Sequence, residues 1–536
     1  MKTLRKIFQE LSIIHFPQSL PDLAIEGIAI DSRAVKVGYL FVAMKGGSFD
    51  GHDFILKAIE NGAVAVVGEK NTSGLQVPYV RVENTRQALT WIAASFYDFP
   101  ARKLTVIGVT GTDGKTTTCN LIYKILLAAR IKAGLISTVN ALIGDEILDT
   151  GFHVTTPDAH DVQRYLAHMV KAGLTHVVLE TTSHGWAQFR VDACEFDIGV
   201  ITNITHEHLD QHGSYENYRA AKGRLFTSLE KTVSKPQGNP RLAVLNLDDR
   251  SYQYLDSITK TKKTSYGIEM RADIHADEIQ YSPLGIQFTA VGNDLRVAIK
   301  SKLVGPYNVS NCLAALTATV IGLRTEPEIA AKGIESLEGV PGRIERIDLG
   351  QNFTAIVDFA HTPNALKVTL EVARDLTPHS PLPLGEGTGV RSRVIAVFGS
   401  AGLRDKEKRR MMAETSIELA DLTVLTAEDP RTESLEGILE EMAAGARSKG
   451  GREGETFWRV ADRGEAIKFA LSLARPGDIV LACGKGHEQS MCFGAVEYPW
   501  DDRIAVSAAL SELLGVEGPK MPYLPTKDKT EEEWLK

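Results

Sequence analysis

Cysteine is scarce in this chain, with five residues in 536. Cys119, Cys194, Cys312, Cys483 and Cys492 are scattered, odd in number and without paired metal-ligand spacing. That argues against a disulfide framework or a cysteine zinc module and suits a reducing cytoplasm. Long apolar runs are missing too: no stretch approaches the ~20 residues of a membrane span. The opening "MKTLRKIFQELSII" carries charges but no long apolar core, so a secretory signal is not expected. No Lys/Arg-rich run dominates and the formal net charge is -8, which weighs against nucleic acid as the main partner. What remains, 43% hydrophobic and 24% charged residues, is the balance of an ordinary globular protein. The length suits roughly three or four domains at ~150 residues each.

Short apolar runs alternate with helical patterns. "AIEGIAI" and "AVAVVG" fall among Gly-rich turns in residues 1–98, which predicts a small α/β domain. From residue 104 come "LTVIGV", a helix with apolar Leu121, Ile122, Ile125, Leu126 and Ala129, then "HVVLE" ending at Glu180, "FDIGVITNI" and "LAVLNLDD". A second set follows "GVPGR": "TAIVDFA", "VIAVFG", "LTVLTA" and "DIVLACG". This is the rhythm of α/β domains with doubly wound parallel sheets, whose ligands sit beyond the strand ends. The predicted division is residues 1–98, 99–338 and 339–515, with a polar tail over 516–536. The Pro/Gly/Ser-rich stretch 378–393 is expected to be a mobile surface loop, and no solenoid-type repeat is found.

The chemistry starts at "GVTGTDGKTTT", residues 108–118. The common phosphate loop G-x-x-x-x-G-K-[ST] needs glycine at 109, where this chain has Val109. Strand, Gly-rich turn and a helix opening on Lys-Thr nevertheless form an anion cradle. Lys115 would reach the β- and γ-phosphates and the Thr116 hydroxyl a Mg²⁺ ion, while Gly111 and Gly114 allow close backbone approach. Downstream, "LETTSHGWAQFRV" and "TNITHEHLDQHGSYENYRAAKGRLF" place Glu180 at a strand end and His208 in a loop after another strand, where both could converge on a metal beside the cradle. His206, His208 and His212 resemble zinc spacing, but an oxygen-rich site beside triphosphate favours Mg²⁺. By pattern alone, Lys222 reads as a solvated helix lysine.

The loop resembles the ATP loop of the Mur ligases and their folylpolyglutamate synthetase relatives, G-x-x-G-T-x-G-K-[ST], and the resemblance runs along nearly the whole chain. It implies three domains: a substrate domain, a central ATPase and a Rossmann-like C-terminal domain. It also implies a reaction in which ATP phosphorylates a carboxylate that an amine then attacks. Gly111, Thr112, Asp113, Gly114, Lys115, Thr116 and Thr117 would hold ATP, with Asn308 and Asn311 of "YNVSNCLAA", Arg343 of "VPGRIERI" and Asp358 of "VDFAHTPNAL". Thr116, Glu180, His208 and Lys222, the last carrying a CO₂-derived carbamate, would hold Mg²⁺. Lys115, Lys222 and His208 would be the catalytic group.

"DSRAVKVGYLFVAMKGGSFDGHDFI" resembles the uridine-binding domain of the tripeptide-forming branch of that family. Ser32, Arg33, Thr155, Thr156, Thr182, Gln188 and Arg190 would then bind UDP-MurNAc-L-Ala-D-Glu, with Thr182 standing where serine is usual. Arg404, Glu428, Asp429, Arg431, Gly484 and Glu488 would bind the incoming diamino acid, an arginine fork suiting its carboxylate and Glu488 its ammonium. Relatives adding meso-diaminopimelate carry D-N-P-R where this chain reads Glu428-Asp429-Pro430-Arg431, so L-lysine and L-ornithine stay open beside it. "VFGSAG" likewise departs from the usual C-G-G form. The expectation is a cytoplasmic, monomeric ATP-dependent amide ligase of cell-wall precursor synthesis. Its rivals are a folylpolyglutamate-type ligase, a non-catalytic scaffold subunit and a simple nucleotide hydrolase.

Overall fold

The computed structural model describes residues 2–11, 20–46, 49–148, 156–205, 213–282, 284–376 and 392–526. They fall into two compact units, one of Met1–Ile279, Phe288–Lys300 and Tyr307–Ser336, the other of Gln280–Gln287, Ser301–Pro306 and Leu337–Lys536.

The first unit begins with a parallel four-stranded sheet in the order Gly27–Ala29, Tyr39–Val42, Ala63–Gly68, Tyr79–Arg81. Helix Thr85–Phe96 follows, capped by the Asn84 side chain and burying Ala88, Leu89, Ile92 and Ala93. It packs on helix Ala159–Lys171, and Thr90 Oγ1 donates to the Phe189 carbonyl. The expected N-terminal and central domains therefore share packing inside one unit.

Among the described residues the large sheet has eleven strands. Its strand Thr105–Thr110 is buried at all six positions and lies parallel between His176–Glu180 and Ile198–Ile201. Strands covered on both faces lose the polar alternation, which is why "TVIGVT" reads as a continuous apolar run. Beyond His176–Glu180 come Ala133–Ile136 and the hairpin Ala141–Ile143/Glu146–Leu148. Beyond Ile198–Ile201 come Leu242–Asn246, Lys262–Gly267, Ile274–Ser282, Gly285–Gly292 and Leu295–Ser301. The chain leaves Thr105–Thr110 for one side of the sheet first and crosses to the other later. The carboxyl end of that strand is thus a topological switch point. Helix Lys115–Ala128 starts there and buries Leu121, Ile122, Ile125 and Leu126. Helix Pro327–Glu335 packs behind it through Gly333, where a Cβ would sit 2.5 Å from Ile125 Cα.

The second unit holds a six-stranded sheet in the order Glu345–Ile347, Thr354–Asp358, Ile479–Cys483, Val394–Phe398, Leu422–Leu425, Phe457–Arg459. All neighbours are parallel except the first pair. A buried ion pair braces its strand ends. Arg463 donates to both Asp502 oxygens at 2.7 and 2.6 Å and to the carbonyls of Ala427 (3.1 Å) and Cys483 (2.8 Å). Within the expected polar tail, Leu524 is buried in the core and Thr526 Oγ1 donates to Asp462 at 2.6 Å. Residues 527–536 of that tail, and residues 378–391 of the expected mobile loop, lie outside the described residues, whereas Arg393 is held by Asp478 at 2.7 Å. Among the described residues no helix is long and apolar enough to cross a membrane.

Candidate active site

The glycine loop lies at the switch point of the large sheet. Gly114 has φ 78° and precedes the helix, and Gly111 leaves no room for a Cβ against Thr202 Oγ1. The loop is tied to the next strand end: Thr112 N donates to Asn203 O at 2.8 Å, Asp113 N to Asn203 Oδ1 at 2.9 Å, and Thr202 Oγ1 to Asp113 O at 2.6 Å. Lys115 folds back to donate to Thr112 O at 2.6 Å. Asn311, from helix Tyr307–Leu323, accepts from Thr118 Oγ1 at 3.3 Å and donates to Asn308 at 2.9 Å. A Cβ on Gly114 would overlap Asn311 Oδ1, so Asn308 and Asn311 do adjoin the loop.

Thr116 and Glu180 meet as the spacing predicts. The Thr116 hydroxyl lies 3.1 Å from both Glu180 oxygens, and Glu180 also accepts from Thr138 N at 3.0 Å. Two hard oxygen donors side by side on a buried carboxylate suit Mg²⁺ rather than zinc. His206, His208 and His212 lie outside the described residues, and among the described ones no group of three or more His, Cys, Asp or Glu could hold a metal. Lys222 departs from the solvated reading. It is 2% exposed, donates to the Gly111 carbonyl at 2.5 Å and lies 4.6 Å from the Tyr218 ring.

The candidate sugar-peptide residues assemble in part. Thr156 and Thr182 hydroxyls are 3.2 Å apart, and Thr182 caps its short helix through Gly185 N. Arg190 donates to Thr156 O at 2.6 Å and to Gln188 Oε1 at 2.8 Å. Thr155 lies outside the described residues. Ser32 and Arg33 lie in a short turn, Ser32–Ala34, that follows strand Gly27–Ala29 and is capped by Asp31. Ser32 is buried, whereas the Arg33 side chain is exposed and paired with Asp31 at 2.7 Å.

In the second unit, Asp358 ends its strand in a cage of donors: Ile344 N and Ala360 N at 2.8 Å, Thr369 Oγ1 at 3.1 Å. Burial raises its carboxyl above the usual range, against the pull of Arg343. Arg343 stacks on Phe359 at 4.5 Å, and Phe359 also touches His361 and His487. Burial pushes both imidazoles down to about 3.

The expected amino-acid residues split. Arg404 is exposed on its loop. Glu428, Asp429, Gly484 and Glu488 converge, and a residue the sequence reading passed over joins them. Lys485 is fully buried, 3.1 Å from Asp429 and 2.5 Å from Glu488. Its place inside "CGKGHE" was the available signal, and His487 of the same stretch was missed likewise. Gly484 lies directly under Glu428 Oε2, and burial lifts the Glu428 carboxyl to about 7 against nearby Lys408, Arg463 and Lys485. Asp429 and Arg431 hold left-handed φ of 42° and 54°, fastened by Cys492 N to Asp429 Oδ1 at 2.9 Å and Arg431 N to Cys492 O at 3.0 Å. Non-glycine residues kept in that region gather at ligand sites.

A loop suited to phosphate, a hydroxyl–carboxylate pair beside it and an acidic pocket in a separate Rossmann-like sheet are parts of a nucleotide-driven ligase. Family models match three stretches: "Mur ligase family, catalytic domain" over 24–97, "Mur ligase middle domain" over 109–319 and "Mur ligase, glutamate ligase domain" over 342–486. The chain belongs to the Mur ligase family, whose members are ATP-dependent ligases. It is 42% identical over 508 residues to a UDP-N-acetylmuramyl-tripeptide synthetase of Roseiflexus sp. strain RS-1, covering 93% of this chain and 96% of the relative. It is 39% identical over 492 residues to a UDP-N-acetylmuramoyl-L-alanyl-D-glutamate–2,6-diaminopimelate ligase of Geobacillus thermodenitrificans, covering 92% and 96%. A solved structure of a ligase with that same name aligns with TM-score 0.64 at 30% identity, over 96% of this chain and 99% of the other.

Proposed function

We propose that the chain joins a diamino acid to the D-glutamate of UDP-MurNAc-L-Ala-D-Glu, converting ATP to ADP and phosphate. Meso-diaminopimelate is the favoured substrate, with L-lysine or L-ornithine as alternatives. The observation that carries this is the match along more than nine-tenths of the chain to ligases named for tripeptide synthesis and for diaminopimelate.

The substrate carboxylate attacks the γ-phosphorus, the β,γ-bridging P–O bond breaks and ADP leaves. The amine then attacks the acyl carbon and phosphate departs. Two anions must meet in the first step. Lys115 and the N-terminus of helix Lys115–Ala128 offset that repulsion from the chain's side. Thr116, Glu180, His208 and a carbamate on Lys222 would hold Mg²⁺, which supplies further charge neutralisation there. The fit rests on the paired oxygens of Thr116 and Glu180 and on Lys222 standing against the loop at Gly111. Gly111–Thr117, Asn308 and Asn311 take the nucleotide, and Arg343 and Asp358 of the second unit are assigned to it as well. Ser32, Arg33, Thr155, Thr156, Thr182, Gln188 and Arg190 take the sugar-peptide. Arg404, Glu428, Asp429, Arg431, Gly484 and Glu488 take the amino acid. The chain works as a cytoplasmic monomer.

The test is purified protein with ATP, the UDP-dipeptide and equal diaminopimelate, lysine and ornithine. The product mass names the amino acid. Oxygen-18 in the dipeptide carboxylate should pass into the released phosphate. Phosphate release that ignores the dipeptide, or none at all, would replace the ligase reading with a hydrolase or a scaffold.

A further inference from the structure

Lysine is among the residues least often fully buried, and a buried ammonium needs partners. Lys485 has both properties. Its side chain is 0% exposed, and the ammonium faces Asp429 at 3.1 and 3.2 Å and Glu488 at 2.5 Å. These acids come from different elements. Asp429 lies past strand Leu422–Leu425 in a left-handed conformation, and Glu488 lies past strand Ile479–Cys483. Glu428, buried over Gly484, adds a third carboxylate facing the same cation. Lys408 and Arg463 face Glu428 from outside the pair, Arg431 faces Cys492 of the hairpin Ser490–Phe493/Val496–Pro499, and His487 is uncharged.

We propose that Lys485 is a positioning residue for the diamino acid: its ammonium clamps Asp429 to Glu488 and sets the spacing and net charge that the incoming amino group meets. This rests on assigning the 428–431 and 484–488 stretches to the amino acid. Without the cation, three crowded carboxylates repel, spread and hold protons at higher pH. An ammonium substrate then meets a pocket whose carboxylates are spread apart and partly protonated, so fewer of them stand ionised at the right spacing to receive it. Arginine is no substitute, because a guanidinium does not fit a site closed on all sides by these groups.

The full chain carries the test, as Lys485→Met, Asp429→Asn and the double variant. Lys485→Met keeps the stem and removes the charge. The KM for the diamino acid should rise roughly 30-fold or more, while those for ATP and the UDP-dipeptide stay within about twofold. The acid limb of kcat/KM for the diamino acid should move up by about one pH unit. Adding Asp429→Asn to Lys485→Met should recover about tenfold of the lost KM, because one repelling charge is gone. If Lys485→Met does not fold, Asp429→Asn alone decides. Asparagine still accepts from Cys492 N, and the acid limb should then move down as Lys485 is left to the remaining acids. An unchanged amino-acid KM and acid limb, an equal rise in all three KM values, or no recovery in the double variant would overturn the proposal. Absence of ligation by the unmodified chain with every diamino acid would instead overturn the ligase reading beneath it.

Discussion

Replacing Gly114 with alanine tests whether the loop geometry, and not its charge, makes the nucleotide site. Gly114 has φ 78°, and an L-residue there costs about 1–2 kcal/mol. The new methyl would also overlap Asn311 Oδ1, so Asn311 must turn and loosen its bonds to Thr118 and Asn308. At roughly 0.5–1.5 kcal/mol for each bond, the sum is about 2–5 kcal/mol. If all of it falls on ATP binding, affinity drops roughly 30- to 4000-fold. What does not fall there lowers the melting temperature, by no more than about 4 °C per kcal/mol for a body this large. Calorimetric ATP titration and thermal melting together capture both parts. The cycle with Asn311→Ala separates the two causes. In that background only the φ cost remains, so the effect of Gly114→Ala should shrink to about 1–2 kcal/mol. An equal effect in both backgrounds, or unchanged binding and melting in the single variant, would refute the reasoning.

Other consequences can be checked separately. Lys222→Ala should abolish ligation, with bicarbonate and a small carboxylate restoring part of it; near-normal turnover without additive would remove Lys222 from the reaction. Glu428 titrates at about 7 in the folded chain against an ordinary 4.5. Its contribution is therefore fully present below about 4.5 and lost as pH rises to about 7, on the order of 3 kcal/mol. Glu428→Gln should melt higher than the parent at pH 8 and close to it at pH 4.5; the same gap at both pH values would contradict the burial explanation. Arg431→Ala should cost diaminopimelate at least about tenfold more in kcat/KM than lysine, as a lost arginine–carboxylate contact would. Equal losses in competition assays would exclude Arg431 as the residue that chooses.

The parallel strands were legible because burial on both faces writes them as unbroken apolar runs, as at 105–110 and 394–398. The loop was legible because its residues are contiguous and each answers a local demand. The meander from Ile274 to Ser301 went unassigned, although "LRVAIKS" alternates buried and exposed residues at period two. Lys485 escaped for a different reason. Its partners are Asp429, far back in the chain, and Glu488, and a lone lysine between glycines carries no mark of burial. Lys222 was placed by resemblance, since its helix pattern gives no hint that the side chain reaches Gly111, over a hundred residues earlier. The packing of helix Thr85–Phe96 on Ala159–Lys171 was invisible for the same reason: the chain pattern encodes local periodicity, not which faces meet.

Residues 484–488 serve two neighbourhoods in alternation. Gly484 and Lys485 face the acidic pocket, while Gly486 is wedged against Phe359 and His487 stacks on that ring beside Arg343. Anyone re-engineering which amino acid is accepted would disturb the Phe359 cluster by editing this segment. The opposite wall, Glu428 and Asp429, is where a new preference can be installed with the other neighbourhood left standing.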